Sequence, residues 1–303
     1  MKDKYRHVGL SRFCRLLGIT RQAYYQHFWL QSSVNTEQEL VLKEVKQIRI
    51  NHRYLGTRKL YEMIQPFLLE HQIKMGRDAL FDLLAANKML VRRKKRRIYT
   101  TNSFHWLKKY PNLIKGFIPT GINQLWVSDI TYWKIKNKYL YISFITDTYS
   151  HKIVGYHVGE TLEAIESVQA LKMALSETTS SIENLCHHSD RGIQYCSEEY
   201  IKLLTSHEIK ISMTETGDPL DNAIAERVNG IIKNEYLYSY DVKDINEAKK
   251  VLDLVIELYN KERPHMSNGN LSPDQIHYTN IKTERLWKNY YQKNTKLVNV
   301  LQD

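Results

Sequence analysis

Residues 139–150, YLYISFITDTYS, form a near-continuous apolar run. A strand of this kind is buried on both faces, so the domain that holds it needs covering layers on both sides of a sheet. The flanking segments supply the neighbours. QLWVSDITYWKI, from Gln124, is rich in aromatic and β-branched residues and reads as a strand, with Asn137-Lys138 marking a turn. KIVGYHVGE reads as a third strand after a tight turn at Ser150-His151. An amphipathic helix, EAIESVQALKMALSE, follows. Then come a short strand in ENLCHHSD, a helix in EEYIKLLTSHE, a strand in IKISMT, a Gly217-Asp218-Pro219 turn and another helix. Three antiparallel strands, then helix, strand, helix, strand, helix, make an α/β order. That order fits more than one α/β topology.

The part before Gln124 is of another kind. Residues 1–120 hold 24 Lys and Arg against 8 Asp and Glu, a net of +16. The rest holds 20 against 25, a net of −5, and the two sum to +11. A basic first part suggests a polyanion partner, most often nucleic acid. An acidic second part would repel that partner unless cations sit between them. A basic binding arm on an ordinary domain is the plainer alternative.

Residues 9–30 read as helix, turn and helix. Leu10, Phe13, Leu16 and Leu17 supply an apolar face, Gly18-Ile19-Thr20 breaks the helix, and Thr20 caps the next one. Arg21, Gln22 and Tyr25 then stand where a recognition helix meets DNA. A plain helical hairpin has the same spacing. Residues 36–56 form a further helix pattern ending at Gly56. GTRKLYEMIQPFLLEHQI carries Pro66, a kink signal, and Lys74-Met75-Gly76 turns into RDALFDLLAANKML, with Arg77 at its start. Leu80, Phe81, Leu83 and Leu84 are its expected buried side. The run Arg92, Arg93, Lys94, Lys95, Arg96 and Arg97 cannot pair internally, and behind two helical modules it favours phosphate contact over a solvated linker. The expected domains are helical modules at 1–35 and 36–101, a linker at 102–121, an α/β core at 122–280 and a tail at 281–303.

No apolar run reaches the roughly 18 residues of a membrane span. The N-terminus has no apolar signal core, and the three cysteines, Cys14, Cys186 and Cys196, form no CxxC pair. A cytoplasmic protein is expected.

Three acidic residues invite chemistry. Asp129 stands alone in an apolar strand, Asp190 follows the short strand in HHSDRGIQY, and Glu226 lies on the helix DNAIAERVNGIIKNE, 35 residues beyond Asp190. In that helix Ile224, Val228 and Ile231 make an apolar stripe, while Asn222, Glu226 and Lys233 share roughly the opposite face. Asp221 or Asn222 is its expected cap. A buried carboxylate costs several kcal/mol unless it is paired or metal-bound. Hard oxygen ligands from separate elements suit Mg²⁺, and two such ions could clamp the attacking and leaving oxygens of an in-line phosphoryl displacement. Taken singly, each acid has a bland role as strand-end polar group, turn cap or surface ion pair. Asp147, Asp218 and Asp221 read as turn or cap residues, and His187 and His188 as structural. Arg191 and Gln194 are placed at the entrance to the site.

At these residues the chain resembles a known family, the second-frame transposases of the insertion sequence three family, within the retroviral-integrase-like DDE superfamily. The resemblance is carried by LWVSDITY, FITDTYS, HHSDRGIQY, DNAIAERVNGIIKNE and RPHMSNGNLSP, with GTRKLY and GRDALFDLL upstream. It implies a ribonuclease-H-like catalytic core, a mixed five-stranded sheet with helices, behind all-α helix-turn-helix DNA-binding modules. It implies two Mg²⁺ (or Mn²⁺) held by Asp129, Asp190 and Glu226, cleavage at element ends, and strand transfer by the freed 3′-OH. Lys233, seven residues after the glutamate, would contact DNA, and Arg263 and His265 would contact DNA or pack against the site. No zinc module like that of retroviral integrases is expected. Implied partners are double-stranded DNA, at least one further copy of the chain, and an upstream-frame protein, in a prokaryotic nucleoid. Two alternatives remain at this stage: a non-catalytic helix-turn-helix regulator, and a ribonuclease-H-like nuclease that only hydrolyses.

Overall fold

A computed structural model of the protein describes residues 9–91, 106–136, 138–178, 181–215, 222–279 and 281. The chain divides into two compact units, one of residues 1–51 and 56–91 and one of residues 52–55 and 92–303.

The first unit is helical. α1 (Leu10–Leu16) ends at Gly18, whose φ of +68° reverses the chain. Thr20 Oγ1 accepts the Ala23 amide at 3.0 Å, the cap its position suggested. α2 then runs unbroken from Arg21 to Asn51. The expected division near residue 35 is absent, because LQSSVNT contains neither glycine nor proline to stop a helix already under way. α3 (Thr57–Glu70) continues past Pro66, and α4 (Arg77–Ala86) buries Leu80, Leu83 and Leu84. The apolar face expected on α1 is only partly used: Cys14 is buried, while Leu16 and Leu17 are exposed.

The second unit is built on five strands. β1 (Leu125–Ile135) pairs antiparallel with β2 (Lys138–Asp147), and β2 with β3 (Ile153–Gly159). On its other side β1 pairs in parallel with β4 (Cys186–Ser189), and β4 with β5 (Lys210–Met213). The order β3-β2-β1-β4-β5 is that of the ribonuclease-H-like fold. Alternation along β2 feeds two cores. Leu140, Ile142 and Phe144 pack with α7 (Ala223–Ile231) and α8 (Ile245–Lys261), through Val228, Leu252 and Val255. Ile145 faces α5 (Ala164–Glu177) and α6 (Glu198–Ser206), with Trp126, Leu171 and Tyr200. Ser143, on that second face, bonds Ser167 of α5 at 2.9 Å.

Asp147 holds the β2–β3 turn. Its Oδ1 accepts the Ser150 amide and hydroxyl at 2.8 and 2.7 Å, and its Oδ2 accepts the Asn123 amide. This is the turn role its neighbours suggested. Asp244 caps α8 through the Asn246 and Glu247 amides, and Glu247 reaches back to the Lys243 amide. The described part of the expected linker runs beside the edge strand β5, where Met213 N donates to Pro111 O and Leu113 N to Ser212 Oγ. That contact covers part of an edge that would otherwise be open. Residues 52–55, expected with the helical modules, group with the core instead: buried His52 meets Tyr236 Oη at 3.0 Å and Glu262 Oε2 at 2.8 Å. A short α9 (Pro273–Thr279) closes the described chain.

Candidate active site

The parallel pairing of β1 with β4 ends at Val127 and His188. Continued for two residues, the same register sets Asp129 beside Asp190. Neighbouring strands lie about 4.8 Å apart, so two carboxylates at one level of adjacent parallel strands are near each other. Asp129 is half-buried. Its Oδ1 accepts the Ile130 amide at 2.9 Å, and Asp190 Oδ1 accepts the Gly192 amide at 2.9 Å. Burial pushes the Asp129 carboxyl up to about 7, helped by the charges of Asp190 and Glu226 and opposed by its bonds from Ile130 and Asn229. Asp129 therefore feels both of the other acids.

α7 is fastened to β1 by two asparagines. Asn222 Nδ2 donates to Ser128 O at 2.9 Å, and Asn229 Nδ2 donates to Asp129 Oδ2 at 2.7 Å. Glu226 lies between them, four residues after the first and three before the second, on the same helical face. Asn222, one of the two expected caps, makes no side-chain cap bond: its Nδ2 is committed to β1, and its Oδ1 is buried without a partner among the described residues. Asp221 lies outside the described residues. Glu226 is exposed, and partial burial raises its carboxyl above the ordinary value. Among the described residues, no three His, Cys, Asp or Glu side chains are placed to grip one ion as they stand. The donor set nevertheless fits a hard divalent cation. It offers carboxylate oxygens whose mutual repulsion a cation would relieve. Beside them Asn229 Oδ1 and Tyr195 Oη are buried with no hydrogen-bond partner among the described residues.

A pocket of about 110 Å³ opens at Asp129 and Asp190 and is lined further by Thr131, Tyr132, Gln194 and Tyr195. Gln194 is held there by donation to Leu162 O at 2.8 Å. After Ile231 the helix widens into a π-helical turn, Ile232–Tyr236, which buries both Ile232 and Tyr236. Such turns often mark functional sites. Within it Lys233 lies with Nζ 3.8 Å from the centre of the Tyr132 ring. Burial lowers the Lys233 amine, and the Asp129 charge works the other way.

The other nominated residues are scattered. Arg21 and Gln22 are exposed at the start of α2, and Arg77 is exposed and paired with Asp78. Arg191 is half-buried in the loop after Asp190. Arg92 to Arg97 lie outside the described residues. Arg263 requires correction: it is 1% exposed, and its guanidinium bonds Glu235 at 2.7 and 2.8 Å and His265 at 2.9 Å. A cation so enclosed has no face left for DNA. Tyr195 is the site neighbour that sequence reasoning missed. Asn229, three residues after the glutamate, stands out in the sequence as a neighbour of Glu226 open to capping or DNA contact, and the structure gives it Asp129 as its partner.

The integrase core domain family matches residues 119–219 and, in a second segment, residues 207–273. The insertion element IS600 uncharacterized 31 kDa protein of Shigella sonnei is 37% identical over 267 residues, which cover 86% of this chain and 95% of that protein. The transposase for insertion sequence element IS629, also of Shigella sonnei, is 28% identical over 295 residues, or 94% of this chain and 98% of that one. Transposase InsF for insertion sequence IS3A of Escherichia coli (strain K12) is 28% identical over 285 residues, covering 90% and 95%. Among solved structures, the HTLV-2 integrase catalytic core domain in complex with magnesium (trimeric form) is similar at a TM-score of 0.43 and 23% identity, covering 52% of this chain and 98% of that one.

Proposed function

This chain belongs to the integrase-core family of insertion-sequence transposases, and from that premise we propose that it cuts DNA at element ends and joins the freed ends to new DNA. The observation that supports this reading most is the register of β1 and β4, which, continued for two residues, sets Asp129 beside Asp190, with α7 fastened to β1 on either side of Glu226 by Asn222 and Asn229. Asp129, Asp190 and Glu226 are the catalytic carboxylates and would hold divalent cations, two Mg²⁺ or Mn²⁺ in the full site. Bound there, the cations would supply positive charge to the oxygens of the reacting phosphate. The protein's own share is placement and charge control.

Two displacements make up the reaction. Water attacks phosphorus at an element end, and the 3′ oxygen leaves and takes up a proton. The resulting 3′-OH then attacks a phosphodiester of the target, displacing the target's own 3′ oxygen, so one bond forms for each that breaks. Lys233, already beside Asp129 and Tyr132, would meet the DNA near the reacting phosphate, and Arg191 would meet it from the adjoining loop. The helical unit, with Arg21, Gln22 and Arg77 exposed and the run Arg92 to Arg97 behind it, would bind the duplex as helix-turn-helix modules. Joining two ends calls for at least two copies of the chain, and an upstream-frame protein is a further expected partner, at the nucleoid.

The test is Glu226→Gln, assayed on DNA carrying element ends. Cleavage and joining should fall by at least about a thousand-fold, as when a group acting mainly in the transition state is removed, while DNA binding persists. Joined products surviving in this variant would remove Glu226 from the catalytic set. Hydrolysis without any joined product in the unaltered protein would favour the nuclease alternative.

A further inference from the structure

Tyr195 is 2% exposed, yet its hydroxyl has no hydrogen-bond partner among the described residues. A buried hydroxyl without a partner is costly. The ring is gripped by its neighbours. It meets Tyr200 edge-on at 5.4 Å and lies 6.4 Å from the His187 ring. Those neighbours are themselves fixed, since His187 Nε2 is shared by Ser128 Oγ at 2.6 Å and Tyr200 Oη at 2.9 Å. Tyr195 also lines the pocket that contains Asp129 and Asp190. Burial raises the Tyr195 phenol well above its ordinary value, and the charges of Tyr200, Asp190 and Asp129 add to the rise. A phenol is protonated at neutral pH in any case, so the hydroxyl is a donor in a residue that shares its pocket with two carboxylates.

We propose that Tyr195 is a positioning residue of the cation site, its hydroxyl donating to the Asp190 carboxylate when a divalent ion is bound and so fixing that ligand. This rests on the reading of Asp129, Asp190 and Glu226 as cation ligands. The aromatic stack beneath does the aiming: Ser128, the residue before Asp129, anchors His187, and His187 and Tyr200 hold the Tyr195 ring. The hydrogen bond that the metal-free site lacks is then made in the loaded one.

The experiment is a calorimetric titration of the full chain with Mn²⁺, without DNA, on wild type, Tyr195→Phe and Tyr200→Phe, with thermal melts before Mn²⁺ is added. Loss of one hydrogen bond to a charged acceptor should weaken Mn²⁺ binding by about ten- to a hundredfold in Tyr195→Phe. Its metal-free melting temperature should equal or exceed that of wild type, because an unsatisfied group has been removed. Tyr200→Phe, which loses a bond already made to His187, should lower the metal-free melting temperature and leave Mn²⁺ affinity nearly unchanged. Equal Mn²⁺ affinity in wild type and Tyr195→Phe overturns the proposal alone. A lower metal-free melting temperature in Tyr195→Phe overturns it too, by showing an internal role. Absence of Mn²⁺ binding in wild type overturns it together with the cation reading on which it rests.

Discussion

Arg263 and Glu235 are joined by two hydrogen bonds in the core, with His265 and the Tyr259 ring closing the other sides. Removing one partner of such a pair strands the other charge, which typically costs about 3–5 kcal/mol. Arg263→Ala should therefore lose about that much stability in urea unfolding, with little change in DNA affinity for the molecules that remain folded. A stable variant with weakened DNA binding would return Arg263 to the DNA surface. His187 carries a second prediction. Burial, with a smaller push from His188, lowers its ring to about 3, so the folded protein holds it neutral while the unfolded chain protonates it near 6.5. Between those values the unfolded state binds more protons, so this contribution is fully present above about 6.5 and is lost as pH falls toward 3. From pH 6.5 to 5 the loss is about 2 kcal/mol. His187→Gln should flatten the dependence of urea midpoint on pH across that window; an unchanged slope would place the acid sensitivity elsewhere. At this scale the sequence spoke unevenly. Asp129 was conspicuous as a lone acid in an apolar strand. Tyr195 was not, because its meaning depends on an unmade hydrogen bond and on rings from α6 and β4.

The strands were legible because period-2 alternation and apolar runs are local signals, and the order of strands and helices in the core followed from them. What locality could not give is the attachment of α7. Its apolar stripe shows which face is buried, but only the folded sheet shows that Asn222 and Asn229 reach Ser128 and Asp129. The long α2 escaped for a related reason: composition near residue 35 is polar without being a breaker, and a propagating helix needs a reason to stop. The packing of β3 against α5 is similarly hidden. A Cβ on Gly155 would lie 2.3 Å from Ala170 O and 2.7 Å from Ala174 Cβ, so strand and helix touch backbone to backbone there. Gly155→Ala should force the two apart and destabilise the core unit by about 3 kcal/mol, as overpacking does where no side chain can yield. A denaturation midpoint within error of wild type would mean that the contact is looser than the structure describes.

Across the whole chain, charge and chemistry are separated: +16 on residues 1–120 and −5 on the remainder. Among the described residues no helix is long and apolar enough to cross a membrane. Such a distribution divides the work proposed for the molecule. In that proposal the basic part would hold the polyanion by phosphate contacts, which carry no sequence information, and the acidic part would concentrate the carboxylates that need cations. On the same proposal the separation would limit non-productive binding, because a core of net negative charge repels the DNA backbone until cations and the basic part bring the two together. The run Arg92 to Arg97 is where this division can be tested apart from catalysis. If all six side chains neutralise phosphates, each releases close to 0.9 of a counterion, and replacing the six with glutamine should reduce the slope of log affinity against log salt by about 5. The effect should be nearly the same on element-end DNA and on unrelated duplex, since phosphates are alike in both. Glu226→Gln should leave the slope untouched. Fluorescence anisotropy at several salt concentrations reads both variants. A slope unchanged by the six replacements would make the run a solvated linker, and the phosphate contacts would then have to come from exposed basic residues of the helical unit such as Arg21 and Arg77.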